Sequence, residues 1–199
     1  PGAPAPAPQV DATAGEWGKR FDGGPVPLWV WGASANKNYV LHKSFHATGV
    51  KSARVKVSAD NHVVLFLNGK QVAASDEWKD GAEADVSALI KDKNELIAEV
   101  RNDGGQAGFV LKLALAGEKG DVKYVVSDET WLSAEKKGGK EVAAKKIATY
   151  GDAPWGKVFD SSIAAQPGSK VPANTFVTLP GFKIEKVFTV PKNTHGSWV

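Results

Sequence analysis

Cysteine and methionine are both absent from this chain of 199 residues. Without cysteine it can form no disulfide framework, thiolate metal site, catalytic thiol or covalent haem attachment. The lack of methionine and the first residue, Pro1, predict a segment processed or excised from a longer protein. No apolar run approaches the roughly 18 to 20 residues that a spanning helix needs, so no membrane span is predicted.

Arginine is scarce as well. Only Arg20, Arg54 and Arg101 occur among the 25 basic residues, which are otherwise lysine, and the net charge is only +3. Proteins that read nucleic acids concentrate arginine together with aromatic residues, and that pattern is missing. The lysines are therefore interpreted as a solubilising surface, and no nucleic-acid partner is predicted.

Proline is missing between Pro27 and Pro154, although four prolines fall within the first eight residues. Because proline cannot donate to a strand ladder, this gap predicts one continuous hydrogen-bonded domain. The predicted organisation is a Pro/Ala-rich tether over residues 1–15 and a β-sandwich domain over 16–158, then a linker over 159–178. Residues 179–199 are predicted to be the truncated start of a following domain.

Short segments of period-two hydrophobicity dominate the middle of the chain and predict strands. Asn68-Gly69 is a strong hairpin signal, and turn signals at short intervals favour an antiparallel sandwich over βαβ units. A single helical turn is predicted at 85–90 with Asp85 as its N-cap, whereas 135–146 is left open between helix and lysine-rich loop. The predicted strands are Tyr39–Phe45, Ser52–Ser58, His62–Leu67, Lys70–Ala73, Glu95–Arg101, Phe109–Leu115, Val122–Val126 and Phe182–Val190.

Several segments, taken in order, resemble the galactose-binding-like β-sandwich domain found beside glycoside hydrolases. They are KSF at 43–45, SADNH before VVLFLNGKQV, Trp78, DVSALI, NELIAEVRND, GGQAGFVLKLAL, SDETW at 127–131 and APWG at 153–156. The resemblance implies an all-β antiparallel jelly roll of about eight strands with one short helical turn. It also implies a domain that is usually noncatalytic, often binds carbohydrate and sometimes holds a structural calcium.

The end of the chain carries a second resemblance. Leu179–Pro191, followed by GSWV, resembles the first strand of the β-propeller in secreted dehydrogenase-like proteins that also carry a c-type haem domain. This implies an exported multidomain parent that is secreted, periplasmic or on the cell surface. The Cys-x-x-Cys-His motif is absent, so no haem or other cofactor is assigned to this segment, apart from the calcium implied above.

Aromatic and polar residues in predicted loops are the candidate ligand-binding groups. Trp29, Trp131 and Trp155 are interpreted as structural, and Trp31 and Trp78 as platforms on which a sugar ring stacks. Glycines in 102–106 would let a ligand approach the backbone, although an ordinary connecting loop is the alternative. The polar candidates are Asn36, Asn38, Asp60, Asn61, His62, Asn102, Asp103 and Gln106.

Metal and catalytic patterns are weak. His42 and His46 would lie about 13 Å apart on a strand, too far to share a zinc ion. The acidic loop residues Asp76, Glu77, Asp80, Glu83 and Asp85 have the oxygens that calcium takes, but not the order of an EF-hand. Neither G-x-S-x-G nor H-E-x-x-H occurs, and no carboxylate pair is marked out, so no enzyme is predicted and a glycosidase ranks last.

The predicted function is a noncatalytic carbohydrate-binding module of an exported multidomain protein, which binds polysaccharide by aromatic stacking and loop hydrogen bonds. The alternative is a structural or docking domain that packs on the adjoining propeller or a partner protein, with Trp198 in the interface. Exposure of Trp31 or Trp78 beside the 102–106 loop would favour the first, and burial of both would favour the second.

Overall fold

A computed structural model describes residues 14–79 and 81–160, all within a compact unit that spans Pro1–Pro167. Two antiparallel sheets pack face to face, which confirms the predicted all-β sandwich. Within these described residues, one helix, α1 (Ala14–Asp22), and one 3-10 turn, Ser87–Leu89, accompany twelve strands, several of them very short. The strands are β1 (Leu28–Trp31), β2 (Tyr39–His46), β3 (Val50–Asp60), β4 (His62–Leu67), β5 (Lys70–Ser75), β6 (Ala82–Asp85), β7 (Lys93–Arg101), β8 (Gly108–Gly117), β9 (Val122–Val126), β10 (Leu132–Ala134), β11 (Val142–Ala143) and β12 (Lys145–Thr149).

The first sheet has the order β12-β1-β8-β3-β6, with β9 also paired to β8, and the second has the order β11-β10-β2-β7-β4-β5. Alternate residues of each strand point into the space between the sheets. That core includes Leu41 and Leu65 of the second sheet and Val55 and Leu111 of the first, all at most 1% exposed. The hydrophobic alternation read from the sequence therefore marks the inner face.

Strand β8 is buried on both faces, because the outer face of the first sheet is also covered. Trp17 and Phe21 of α1 pack on Ala114 and Ala116. The segment after β12 covers the other half of that face with Trp155, Val158 and Phe159, which pack on Trp29 and Val110. We call residues 150–160 the covering segment. The first sheet therefore has no solvent-facing side along β8.

Helix α1 was not predicted. It begins at Ala14, inside the predicted tether 1–15, while residues 1–13 lie outside the described residues. The chain turns after the helix at Gly24, whose φ of 73° lies in the left-handed region, and a Cβ there would come within 2.3 Å of the Tyr124 ring. Glycine is therefore required both by the backbone and by the close packing of that ring.

The local turns follow the sequence signals. Asn68 and Gly69 have φ values of 52° and 80°, as a tight two-residue hairpin requires. The predicted helical turn is the 3-10 turn Ser87–Leu89, but its N-cap is Val86, so the prediction of Asp85 is wrong by one residue. The Asp85 carboxylate accepts a hydrogen bond of 2.9 Å from the Ser87 backbone N–H. Residues 135–146 form a loop followed by β11 and the start of β12, so the helical alternative is wrong there.

The predicted strand Phe182–Val190, most of the 159–178 linker and the start of a following domain at 179–199 fall outside the described residues. Within residues 14–79 and 81–160, no helix has the length and apolar character needed to cross a membrane.

Candidate functional site

Four connections meet at one end of the sandwich, which we call the loop end. They follow β1, β3, β5 and β7, and the strand registers show that they are neighbours: Asp60 is opposite Gly108, and Val63 is opposite Ser75. All of the predicted ligand-binding residues lie in these connections or on the strand residues that flank them. They are Trp31, Asn36, Asn38, Asp60, Asn61, His62, Trp78, Asn102, Asp103 and Gln106.

Asparagine side chains join three of these connections. The Asn102 amide donates to the Ala35 carbonyl at 3.0 Å, and the Asn102 backbone N–H donates to Oδ1 of Asn38 at 3.3 Å. Oδ1 of Asn61 accepts from the Asp103 backbone N–H at 2.8 Å. Within the described chain, the amide nitrogens of Asn38 and Asn61 donate to no other residue, so both remain available as donors.

His62 is the centre of a charged cluster at the loop end. Its Nδ1 lies 3.0 Å from Oδ1 of Asp76, and its Nε2 lies 2.6 Å from Oδ2 of Asp103 and 2.6 Å from Nη2 of Arg101. Arg101 also pairs with Asp103 at 2.9 Å. Hydrogen bonds to Asp76 and then Asp103 raise the pKa of His62 above its ordinary value of 6.5. When protonated, His62 donates to both carboxylates; when neutral, Nε2 accepts from Arg101.

The first prediction concerns this titration. Asp76→Asn is expected to lower the pKa of His62 towards 6.5, because it replaces the carboxylate with the largest effect by a neutral amide. Because the folded pKa is raised, protonation of His62 adds stability that is complete below a pH of about 6.5 and is lost as the pH rises through the folded pKa. NMR titration of the imidazole resonances measures the shift.

Asp92→Asn is the control for that titration, because Asp92 is exposed and directly precedes β7, at the opposite end of the strand from Arg101. An unchanged His62 pKa in Asp76→Asn, or an equal change in Asp92→Asn, would contradict the assigned cause.

A groove of about 400 Å³ lies beside this cluster on the outer face of the second sheet. Its floor is formed by Val40 and Val64, with Glu99 between them in register. Its rim carries His62, Arg101, Asp76, Asn38 and Glu135. Lys37 pairs with Glu135 at 2.5 Å, and this hydrogen bond raises the pKa of Lys37. A short apolar floor with a polar rim suits a ligand rich in hydroxyl groups.

Trp31 does not belong to this surface. Its side chain is 1% exposed, the Tyr39 ring packs edge-on against it, and Nε1 donates to the Lys37 carbonyl at 3.2 Å. It therefore has no ring face to offer a sugar, and its prediction as a stacking platform is wrong. Trp78 is only partly buried: it packs against the cluster of Trp29 and Trp155, with the Lys79 ammonium 5.3 Å from its ring centroid.

Asp60 connects the loop end to the covering segment. Its Oδ2 accepts a hydrogen bond of 2.8 Å from Nε1 of Trp155, and burial raises the pKa of its carboxyl group. The Asp60–Asn61 peptide bond is cis. Asn36 and Gln106, by contrast, are exposed side chains at the margin of the loop end.

The acidic residues considered for calcium do not gather in one place. Asp76 faces His62, while Glu83 pairs with Arg54 and Lys56, and Asp85 pairs with Arg54. Asp80 lies outside the described residues. No group of three or more His, Asp or Glu side chains suited to a metal occurs in the described chain. Calcium stays a prediction carried by the resemblance.

Four charged residues of the groove, Asp76, Glu99, Arg101 and Glu135, were not among the predicted ligand-binding residues, and Glu99 and Arg101 had a signal in the sequence. Both lie on β7 directly before Asn102, and the period of two places them on the same outer face. That alternation was the signal available in the sequence.

Comparison with known proteins supports the fold. No protein-family profile matches the chain. An α-L-rhamnosidase of Streptomyces avermitilis is 27% identical, in an alignment that covers 76% of this chain and 18% of that protein. This chain therefore spans less than a fifth of the length of that relative.

Solved structures also show proteins that share the fold of this chain. The S. avermitilis α-L-rhamnosidase complexed with L-rhamnose aligns with a TM-score of 0.62 at 24% identity, covering 68% of this chain and 16% of that one. The apo lectin of Pleurotus ostreatus aligns with a TM-score of 0.60 at 22% identity, covering 67% and 45%. A GH78 rhamnosidase of Bacillus sp. GL1 has a TM-score of 0.56 at 19% identity, covering 66% and 19%. The chain thus shares its β-sandwich fold with parts of two rhamnosidases and with a lectin.

Proposed function

We propose that this chain is a noncatalytic carbohydrate-binding domain of an exported multidomain protein, and that sugar binds at the loop end and in its groove. The observation that carries the proposal is the convergence of four connections, which brings Asn38, Asn61, His62 and Arg101 together above an apolar floor. The exported setting rests on the resemblance of the C-terminal segment, and cell fractionation of the parent protein tests it.

The chemistry of the loop end matches what sugar hydroxyls need. The amide nitrogens of Asn38 and Asn61 and the guanidinium of Arg101 donate to sugar oxygens, and the carboxylates of Asp76 and Glu99 accept from hydroxyl groups. The partly exposed ring of Trp78 supplies stacking surface at the margin. Such a site binds weakly on its own, and a polysaccharide strengthens binding through multivalency.

The neighbours support a sugar as the ligand class. One is a P. ostreatus lectin in complex with GalNAc, and another is a rhamnosidase complexed with L-rhamnose. Because this is an analogy between folds, it adds to the argument from the groove and does not replace it.

The charges in the groove favour binding over glycoside hydrolysis. Asp76 and Asp103 pair with His62, and Glu135 pairs with Lys37. A glycosidase needs two carboxyl groups free to flank the glycosidic bond, whereas these three are held by their own partners.

A docking role has less support. Burial of both Trp31 and Trp78 would favour it, and although Trp31 is buried, Trp78 is only partly buried. The large exposed hydrophobic side chains of the described chain are Val26, Val142 and Ile147, too few to form the apolar centre of a stable interface.

Calorimetry with L-rhamnose, GalNAc and plant, algal and microbial polysaccharides tests the proposal, after a glycan array has selected ligands. Arg101→Ala is expected to weaken glycan binding by about tenfold or more, because truncation of a central arginine removes several hydrogen bonds at once. Lys93→Ala is the matched control, since Lys93 is an exposed cation at the opposite end of β7.

Each measurement is made with calcium and with a chelator. Loss of binding in the chelator would assign calcium a role at the site, and unchanged binding would exclude that role. Absence of binding to every glycan in both conditions would overturn the proposed function. If Arg101→Ala and the unaltered chain bind glycan with equal affinity and have matching melting temperatures, sugar does not bind in the groove.

A further inference from the structure

A second cavity, of about 630 Å³, lies on the outer face of the first sheet between α1 and the covering segment. It shares no lining residue with the groove at the loop end. Its size falls within the range of small-molecule sites. Lys56, Lys112 and Lys157 line it, together with the rings of Phe21, Tyr150 and Phe159.

Two of these lysines are direct cross-strand partners. Lys56 on β3 is in register with Lys112 on β8. Lys112 is 6% exposed, and the side chain of Lys56 is 13% exposed. Like charges directly opposite each other destabilise a sheet, and burial of an ammonium group adds a desolvation cost. The domain therefore keeps two buried cations side by side where neutral residues would be more stable.

The two ammonium groups differ in their partners. Lys56 lies 3.6 Å from Oε2 of Glu83 and donates to the Phe159 carbonyl at 3.1 Å. Lys112 donates to the Gly23 carbonyl at 2.7 Å and lies 5.2 Å from the Tyr124 ring centroid, but it forms no ion pair within the described residues. Burial lowers the pKa of Lys112. The Asp22 carboxylate opposes this effect on the pKa but forms no ion pair with Lys112, so the charge of Lys112 is held without a counterion in contact.

A purely structural role accounts for only part of this arrangement. The lysines join the sheet to α1 and to the covering segment through the carbonyls of Gly23 and Phe159. A neutral donor would make those hydrogen bonds at a lower desolvation cost. An ammonium group has three N–H donors, so Lys112 retains two for another acceptor. Its positive charge and spare donors both point to an anion in the cavity.

We infer that this cavity binds the carboxylate of an acidic sugar, a uronic acid, with the carboxylate on Lys112 and the sugar ring against the aromatic wall. The three lysines are balanced by the lining aspartates Asp22 and Asp160 and by Glu83, which pairs with Lys56, so the cavity has no excess of positive charge to hold a dianion. That balance suits a monoanion better than a doubly charged phosphate. The carboxylate follows from the cavity, whereas the choice of a sugar as its carrier rests on the proposed function.

Calorimetry and ligand-observed NMR on the full chain test the inference. D-Galacturonate and D-glucuronate are compared with D-galactose, D-glucose and inorganic phosphate. The uronates are expected to bind at least tenfold more tightly than the neutral sugars and phosphate. Lys112→Met is expected to weaken uronate binding by at least tenfold, with an equal or higher melting temperature, because it removes a buried charge and keeps the apolar stem.

Lys123→Met is the matched control, since Lys123 lies on the adjacent strand β9 and is exposed. It is expected to leave uronate binding unchanged. Absence of uronate binding, equal binding of phosphate, or full affinity in Lys112→Met would each overturn the inference. Uronate binding is also expected to persist in Arg101→Ala. Its loss there would place the uronate in the groove and contradict a second site, whereas failure of neutral glycans to bind would count only against the loop end.

Discussion

Replacement of Trp155 by alanine is expected to lower the free energy of unfolding by about 3 to 5 kcal/mol, the usual range for a buried tryptophan. Trp155 is 4% exposed and stacks on Trp29, with ring centroids 4.4 Å apart. The truncation leaves a cavity over the first sheet and removes the hydrogen bond to Asp60. Urea denaturation followed by circular dichroism measures the loss.

Trp155→Phe separates these two effects. Phenylalanine keeps a ring against Trp29 but leaves the Asp60 carboxylate without its indole donor, which is expected to cost about 1 to 3 kcal/mol. If the loop end is the sugar site, glycan affinity falls in this variant because Asp60 loses the contact that orients it. A Trp155→Ala protein as stable as the unaltered chain would contradict the packing role of the covering segment.

Replacement of Glu83 by glutamine is expected to lower the free energy of unfolding by about 3 kcal/mol or more, as is usual when one partner of a buried ion pair is neutralised. Glu83 lies 3.3 Å from Arg54 and 3.6 Å from Lys56, and the three side chains are between 9% and 15% exposed. Without the carboxylate, two cations remain close together in a poorly hydrated place. Thermal and urea unfolding measure the effect.

Glu118→Gln supplies the matched comparison. Glu118 also pairs with a lysine, Lys51 at 3.7 Å, but both side chains are at least 70% exposed. Exposed ion pairs contribute little, so a loss of no more than about 1 kcal/mol is expected. Similar losses in the two variants would show that burial does not govern the strength of the Glu83 interactions.

The strands and the hairpin were predictable because their signals are local. Period-two alternation identified β3, β7 and β8, and Asn68-Gly69 identified the β4–β5 turn. The double burial of β8 was not predictable from its own residues, because it depends on α1 and the covering segment packing over it. The spacing of Trp17 and Phe21, four residues apart on one helix face, was the missed signal for α1.

The candidate site was likewise predictable where its signals are local and unpredictable where they depend on tertiary packing. Polar residues after β3 and β7 were identified from composition, and antiparallel topology brought their connections together. The prediction that Trp31 is exposed was wrong because the pairing of β1 with β12 is irregular between Trp29 and Val30. As a result, the neighbouring residues Val30 and Trp31 both lie in the main core. Such an irregularity depends on the partner strand β12, so neither the alternation nor the composition of β1 reveals which face a given ring occupies.

Gly18 and Asp22, near the start of the described chain, and Asp160, at its end, line the same cavity. Helix α1 and residue 160 are therefore close in space, which is the geometry that circular permutation of residues 14–160 requires. A short linker could join residues 14 and 160, and new termini could open at Lys119–Gly120, in the turn after β8. That turn lies at the opposite end of β8 from the loop end, so a permuted domain would keep all four connections of the candidate site covalently intact.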